Sequence, residues 1–204
     1  MRFTKTLLAA GFLAALPMMA NAESQFTTGA GTPITASAKL DFQIVIPKII
    51  YLRVGTGTNL ANNAAVDLIT FTVPAASVGN STAVAGTGGD LTAGVVTAKV
   101  VGNNGIVTLS STTTGNLTTG VAAEAIPYSQ ITTTPAVLTS ATALPAPALA
   151  SGATTSIALT PVNRVTNQDA RWTYTYLNNT VMASGTYGGV NLNGGRVTYT
   201  ASMP

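Results

Sequence analysis

Ile34-Thr35-Ala36-Ser37-Ala38-Lys39-Leu40-Asp41-Phe42-Gln43-Ile44-Val45-Ile46 is apolar at every even position. The odd positions carry Thr, Ser, Lys, Asp, Gln and, once, Val. A period of two is that of a β-strand with one buried face. At about 3.3 Å per residue the stretch would run about 43 Å, longer than most globular strands. It therefore predicts either one unusually long strand or two functional pieces sharing one phase. Pro47 interrupts the run because it has no N–H for a ladder. Ile49 to Val54 resumes strand character, and Gly55-Thr56-Gly57 ends it.

The rest of the chain reads the same way. Leu68–Val73, Val95–Val101, Ile106–Ser111, Ala125–Thr132, Ser156–Leu159, Arg171–Tyr176 and Arg196–Met203 are strand candidates separated by Gly, Asn and Pro. Gly102-Asn103-Asn104-Gly105 predicts a hairpin turn between two of them. Gly79–Gly94 and Thr133–Gly152 lack alternation and predict long surface loops. No segment after residue 22 has a sustained helical period. The expectation is an all-β chain: a single immunoglobulin-like or pilin-like β-sandwich of about seven to nine strands over residues 34–204.

Composition narrows the function. Of 204 residues, nine are Lys or Arg and six are Asp or Glu, with no His and no Cys. Thr numbers 35 and Asn 14. Without thiols or imidazoles, the usual zinc, haem and iron–sulfur sites and Ser-His-Asp or Cys-His machinery are excluded. Basic density is too low to neutralise a run of phosphates, so nucleic acid is not an expected partner. Arg2 and Lys5 before the apolar run Thr6–Ala20, followed by Ala20-Asn21-Ala22, form a secretory signal peptide over residues 1–22. Its removal would leave 182 residues with seven basic and six acidic groups, so the basic balance is no clue to a partner. Residues 23–33 then form a loose leader, with no transmembrane anchor expected. The product is expected to be exported through the periplasm and released, or assembled outside at the cell surface.

The acids, Glu23, Asp41, Asp67, Asp90, Glu124 and Asp169, are scattered. They suggest neither a paired-carboxylate catalytic site nor a calcium loop. Gly86-Thr87-Gly88-Gly89-Asp90 reads as a flexible loop. No catalytic, cofactor or metal residue is assigned, and an enzyme is not expected. Trp172, Tyr174 and Tyr176 share one strand face. That row suits the inside of a sandwich, or a platform for stacking sugar rings if exposed.

The two ends of the chain are its most strongly patterned parts. Ser184-Gly185-Thr186-Tyr187 precedes the final strand, whose alternate residues are Val197, Tyr199, Ala201 and Met203, and Ile126-Pro127-Tyr128-Ser129 lies mid-chain. With the alternating N-terminal stretch, this layout resembles the subunits of chaperone–usher pili of the archaic, spore-coat-protein-U-like type. Two features depart from that pattern: the absence of Cys, and Gly188–Gly195 between Tyr187 and the final strand. The resemblance implies a structural, fimbrial subunit of an extracellular bacterial filament, joined by β-strand exchange. Ile34, Ala36, Ala38, Leu40, Phe42, Ile44 and Ile46 would form the donor or first strand. Val197, Tyr199, Ala201 and Met203 would form the strand held by a periplasmic chaperone, before an usher delivers the subunit to copies of itself or related subunits. The alternative readings are an exported glycan- or surface-binding sandwich and a small outer-membrane β-barrel.

Overall fold

A computed structural model describes residues 24–204; the expected signal peptide, 1–22, lies outside the described residues. The chain divides after Ile46 into two units. In the first, residues 24–46 take part in no strand ladder and are exposed throughout. Within it the Ser37 N–H donates to Gln25 Oε1 at 3.1 Å. The alternation at Ile34–Ile46 therefore has no ladder partner here, and Leu40, Phe42, Ile44 and Ile46 are each more than three-quarters exposed. The compact second unit begins at Pro47.

That unit contains twelve ladder segments. In chain order they are β1 (Ile50–Val54), β2 (Ile69–Thr70), β3 (Val84–Ala85), β4 (Thr87–Gly88), β5 (Val95–Gly102) and β6 (Val107–Thr113). Then come β7 (Leu117–Thr118), β8 (Ala125–Ile126), β9 (Ile131–Ala136), β10 (Thr154–Leu159), β11 (Thr166–Tyr176) and β12 (Val197–Ser202). Seven have five residues or more, and these form the two faces of an all-β sandwich. One sheet runs β1-β5-β11, with β9 on the far side of β11 and β3 at its end; the other runs β10-β6-β12. Every pairing is antiparallel. Among the described residues the sheets do not close into a barrel.

The strand interiors follow the period of two. Val96, Ala98 and Val100 of β5, Val107 and Leu109 of β6, and Ala170 and Trp172 of β11 point into one buried cluster. Thr fills the outer positions, where its branched side chain suits a pleated, half-exposed surface. Trp172 is fully buried. Its ring packs on Tyr199 of the opposite sheet, centroids 5.4 Å apart.

Several expectations change. Gly102–Gly105 is not a hairpin turn: β5 and β6 belong to different sheets, so these residues carry the chain across the sandwich. Gly102 is required at that corner, since a Cβ there would sit 2.8 Å from Val107 Cγ2 and 3.2 Å from Met203 Sδ. Leu68–Val73 keeps only the short β2, and Gly79–Gly94 contains β3 and β4. Asp90 is not in a free loop: its carboxylate accepts the Thr97 N–H at 2.7 Å and pairs with Arg53 at 2.9 Å.

The largest correction concerns Thr133–Gly152. Thr133–Ala136 lies in β9, and Leu144, Pro147 and Leu149 are buried. This segment is a strap rather than a surface loop. Leu144 bonds to β11 through both backbone groups: its N–H donates to Asp169 O at 3.1 Å, and its carbonyl accepts the Trp172 indole N–H at 2.8 Å. The Ala148 and Ala150 carbonyls accept the inward hydroxyls of Ser111 and Thr113 on β6. Two buried polar side chains are thereby satisfied, as burial demands. Pattern reading missed the strap because it is Ala- and Pro-rich and irregular; its apolar residues pair with no ladder and so show no period.

Asp169 holds the start of the strap. Its carboxylate accepts the Thr139 and Ser140 N–H groups at 2.8 and 2.9 Å and the Thr139 hydroxyl. Burial works to raise its pKa, but these hydrogen bonds outweigh it, and the group falls to about 2. A carboxyl lowered in the folded state contributes stability that is present above the unfolded pKa and lost as pH falls. Urea midpoints should therefore drop as pH is lowered from about 4 toward 2. Asp169→Asn should remove that component and cost about 2 kcal/mol at neutral pH, the usual scale for hydrogen bonds to a charged group. Trp172→Ala should cost about 3–5 kcal/mol by the same measurement, because it opens the centre of the core.

Candidate functional site

β1 pairs with β5 alone, and β12 pairs with β6 alone. They lie on the same side of the sandwich, one in each sheet, and form no ladder with each other. Between them runs a groove of about 1120 Å³. Leu52 and Val54 of β1 form one wall, and Val197 and Tyr199 of β12 the other. Tyr128 and Tyr174 lie in its floor. At one end, Lys48–Ile50 meets Ala201–Met203 and the groove narrows to a smaller cleft. At the other, Phe71 and the segment before β12 open it outward.

On the opposite side of the sandwich the strap of residues 144–150 connects β9 and β10 and fills the space between the sheets. The two sides thus differ in what lies between the edge strands: the strap on one, and an apolar floor between β1 and β12 on the other. Unpaired edges template further strands, and large apolar openings rimmed by polar residues mark interaction sites.

Local sequence explains the walls. In β12 the alternation puts Val197, Tyr199 and Ala201 inward and Thr198, Thr200 and Ser202 outward. Met203, just beyond the strand, also packs on the core. In β1, Leu52 and Val54 face in, while Arg53 turns out to Asp90. Arg196, just before the strand, lines the groove mouth.

Hydrogen bonds hold the floor. The Tyr174 and Tyr199 hydroxyls bond across the two sheets at 2.9 Å. The Tyr128 hydroxyl donates to Gly194 O at 2.7 Å, tying Ile126-Pro127-Tyr128 to the segment that leads into β12. Asn178 is buried at the end of β11. Its Oδ1 accepts the Gly79 N–H at 2.9 Å and its Nδ2 donates to Ser77 O at 2.6 Å, anchoring the Val78 rim. Nothing in the local pattern distinguished Asn178 from an ordinary turn residue; its role exists only in three dimensions.

Trp172, Tyr174 and Tyr176 face the sandwich interior and are buried. The outward face of the same stretch carries Arg171, Thr173 and Thr175, so no exposed aromatic row is present for stacking a sugar. The scattered acids do not converge: among the described residues no three His, Cys, Asp or Glu side chains group to hold a metal. Among the same residues no helix is long and apolar enough to cross a membrane. The groove offers strand edges and apolar surface.

Comparison with family models, with curated proteins and with solved structures finds no match to this chain.

Burial pushes the Tyr128 and Tyr199 phenols up to about 12, and Tyr174 well above its ordinary value. A phenol raised in the folded state contributes stability that is intact below the unfolded value near 10 and is lost as pH rises through the folded one. Tyrosinate absorbance should therefore show Tyr128 and Tyr199 protonated in the folded protein until about pH 12. Ionisation of every tyrosine together near pH 10, with the fold intact, would contradict this floor.

Proposed function

We propose that the protein is a structural subunit of an extracellular bacterial filament or surface assembly, and that subunits join by β-strand exchange. One observation carries the reading. The sandwich has a groove flanked by two unpaired strand edges, and the same chain displays an exposed, alternating apolar segment that takes part in no ladder. The occupant is the donor Ile34, Ala36, Ala38, Leu40 and Phe42 of a neighbouring copy. Its backbone completes the open edges of β1 and β12, and its alternate side chains enter the apolar floor. A sheet edge admits any extended chain, but the period of two fixes which face turns inward.

The resemblance to archaic chaperone–usher subunits points the same way. On that reading a periplasmic chaperone covers the groove before assembly, against Val197, Tyr199, Ala201 and Met203, and an usher hands the subunit on. The scarcity of charge is consistent with close packing of copies, since few ions must be desolvated or kept apart.

Leu40→Asp together with Phe42→Asp should abolish polymers in multi-angle light scattering. The unfolding free energy from urea titration should change by no more than about 0.5 kcal/mol, the usual effect of substitutions at exposed positions. Polymers of unchanged length would show that this segment is not the donor.

A further inference from the structure

β10 is an edge strand that pairs with β6 alone. The Thr113 N–H donates to the Ala153 carbonyl at 3.2 Å, which fixes the backbone groups that face β6. Alternate residues of a strand aim their N–H and C=O to alternate sides. Thr155, Ile157 and Leu159 therefore bond to β6, and Thr154, Ser156 and Ala158 aim theirs the other way. Among the described residues nothing pairs with those outward backbone groups. The side chains of the same three residues are exposed on the outer face.

The edges of monomeric sheets are guarded by charge, proline, a bulge or a covering segment. β9, the edge strand of the other sheet on this side, has such a guard. The Gln130 carbonyl accepts the Leu177 N–H at 2.8 Å. The same alternation turns Ile131, Thr133 and Pro135 outward, and Pro135 has no N–H to offer. β10 has no such guard. Its register with β6 runs without a bulge, and all three outward residues can both donate and accept. Residues 125–163 contain no Lys, Arg, Asp or Glu, and neither do β6 and β12 beside it. The other sheet carries Arg53, Lys99, Asp169 and Arg171. The strap does not cover this edge: it lies between the sheets, where the Ala148 carbonyl accepts the Ser111 and Thr155 hydroxyls.

We propose that the β10 edge is a second interface between copies of this chain. Two β10 strands pair antiparallel about a two-fold axis and join two three-stranded sheets into one of six. The proposal goes beyond strand exchange and does not use the donor segment. The occupant follows from self-complementarity. With Ser156 opposite its own counterpart, Thr154 of each copy faces Ala158 of the other, and every outward N–H and C=O of the three residues finds a partner. On the inward face Thr155 lies beside the other copy's Ile157, a side chain that its own core covers only in part. Two neutral edges meet there without repulsion. A segment such as Ile34 to Phe42 fits this edge poorly, because the strap fills the space behind β10 and leaves no groove for large alternate side chains. A six-residue edge falls short of the roughly 1,200 Å² that stable complexes bury, so one contact is weak. Repeated between neighbouring assemblies, such contacts add up.

The test uses the full exported chain with Leu40→Asp and Phe42→Asp, so that strand exchange and the edge contact are read separately. The chain has no Cys, so one substitution reports one contact. Facing residues of a hydrogen-bonded antiparallel pair have Cα atoms about 5.5 Å apart, within reach of a disulfide. Ser156→Cys should therefore give a disulfide-linked dimer under mild oxidation. Thr200→Cys lies two strands away on the same face and should give on the order of tenfold less, being out of disulfide reach of its counterpart. Should Ser156→Cys fail to fold, Thr154→Cys combined with Ala158→Cys places a facing pair across the same axis. Sedimentation from micromolar to millimolar concentration should show a dimer. Ser156→Lys, which sets like charges across the axis, should weaken it roughly fivefold, and Thr200→Lys should leave it unchanged. Linking at residue 200 equal to or above that at 156, no link at either, or a dimer that Ser156→Lys does not weaken would overturn this interface and leave strand exchange standing.

Discussion

A two-sheet sandwich has to keep water out along both of its open sides, and in this protein the two sides are treated differently. On the β9–β10 side the strap from Leu144 to Ala150 lies between the sheets. Its backbone bonds to Trp172 and Asp169 on one sheet and to Ser111 and Thr113 on the other. On the β1–β12 side Leu52, Val54, Val197 and Tyr199 line an open groove. The core can form because the strap and the Trp172–Tyr199 contact hold the sheets together.

The energetics of that asymmetry favour an added strand. Burying a large apolar side chain contributes about 1.5–3 kcal/mol relative to exposure, so a donor inserting Ile34, Leu40 and Phe42 would gain roughly 5–9 kcal/mol before ordering and association costs. Main-chain hydrogen bonds along two edges add register. The floor suits such an occupant. Its polar atoms are already paired, Tyr174 with Tyr199 and Tyr128 with Gly194, so an incoming apolar face leaves no hydroxyl stranded. The corner Gly102–Gly105 then has two tasks. It carries the chain between sheets, and its asparagines hold the residues that enter β1 and follow β12.

Much of this was legible in the sequence. The long ladders of β5, β6, β11 and β12 follow runs of alternating Val, Thr, Tyr and Trp, because a half-buried strand must alternate. The inward set of β12 was readable residue by residue for the same reason. The strap was not, since irregular backbone buries Leu144, Pro147 and Leu149 without any period. The crossing at Gly102–Gly105 was read as a hairpin because Gly and Asn serve either geometry; only the sheet membership of β5 and β6 separates the two. Asn103, Asn178 and Asp90 looked like turn residues, and their partners lie 54 to 56, 99 and 37 positions away in the chain. Local pattern cannot report contacts at such separations. At Ile34–Ile46 the alternation was plain, yet a period of two says only that one face seeks cover and does not name the chain that provides it.

The central claim is that the open groove receives the alternating segment of another copy. A cryo-electron microscopy reconstruction of the assembled protein measures this most directly. The account predicts density for Ile34 to Phe42 between β1 and β12, continuous with Pro47 of an adjacent copy. An assembly whose grooves stand empty, or whose grooves hold each chain's own segment, would contradict it.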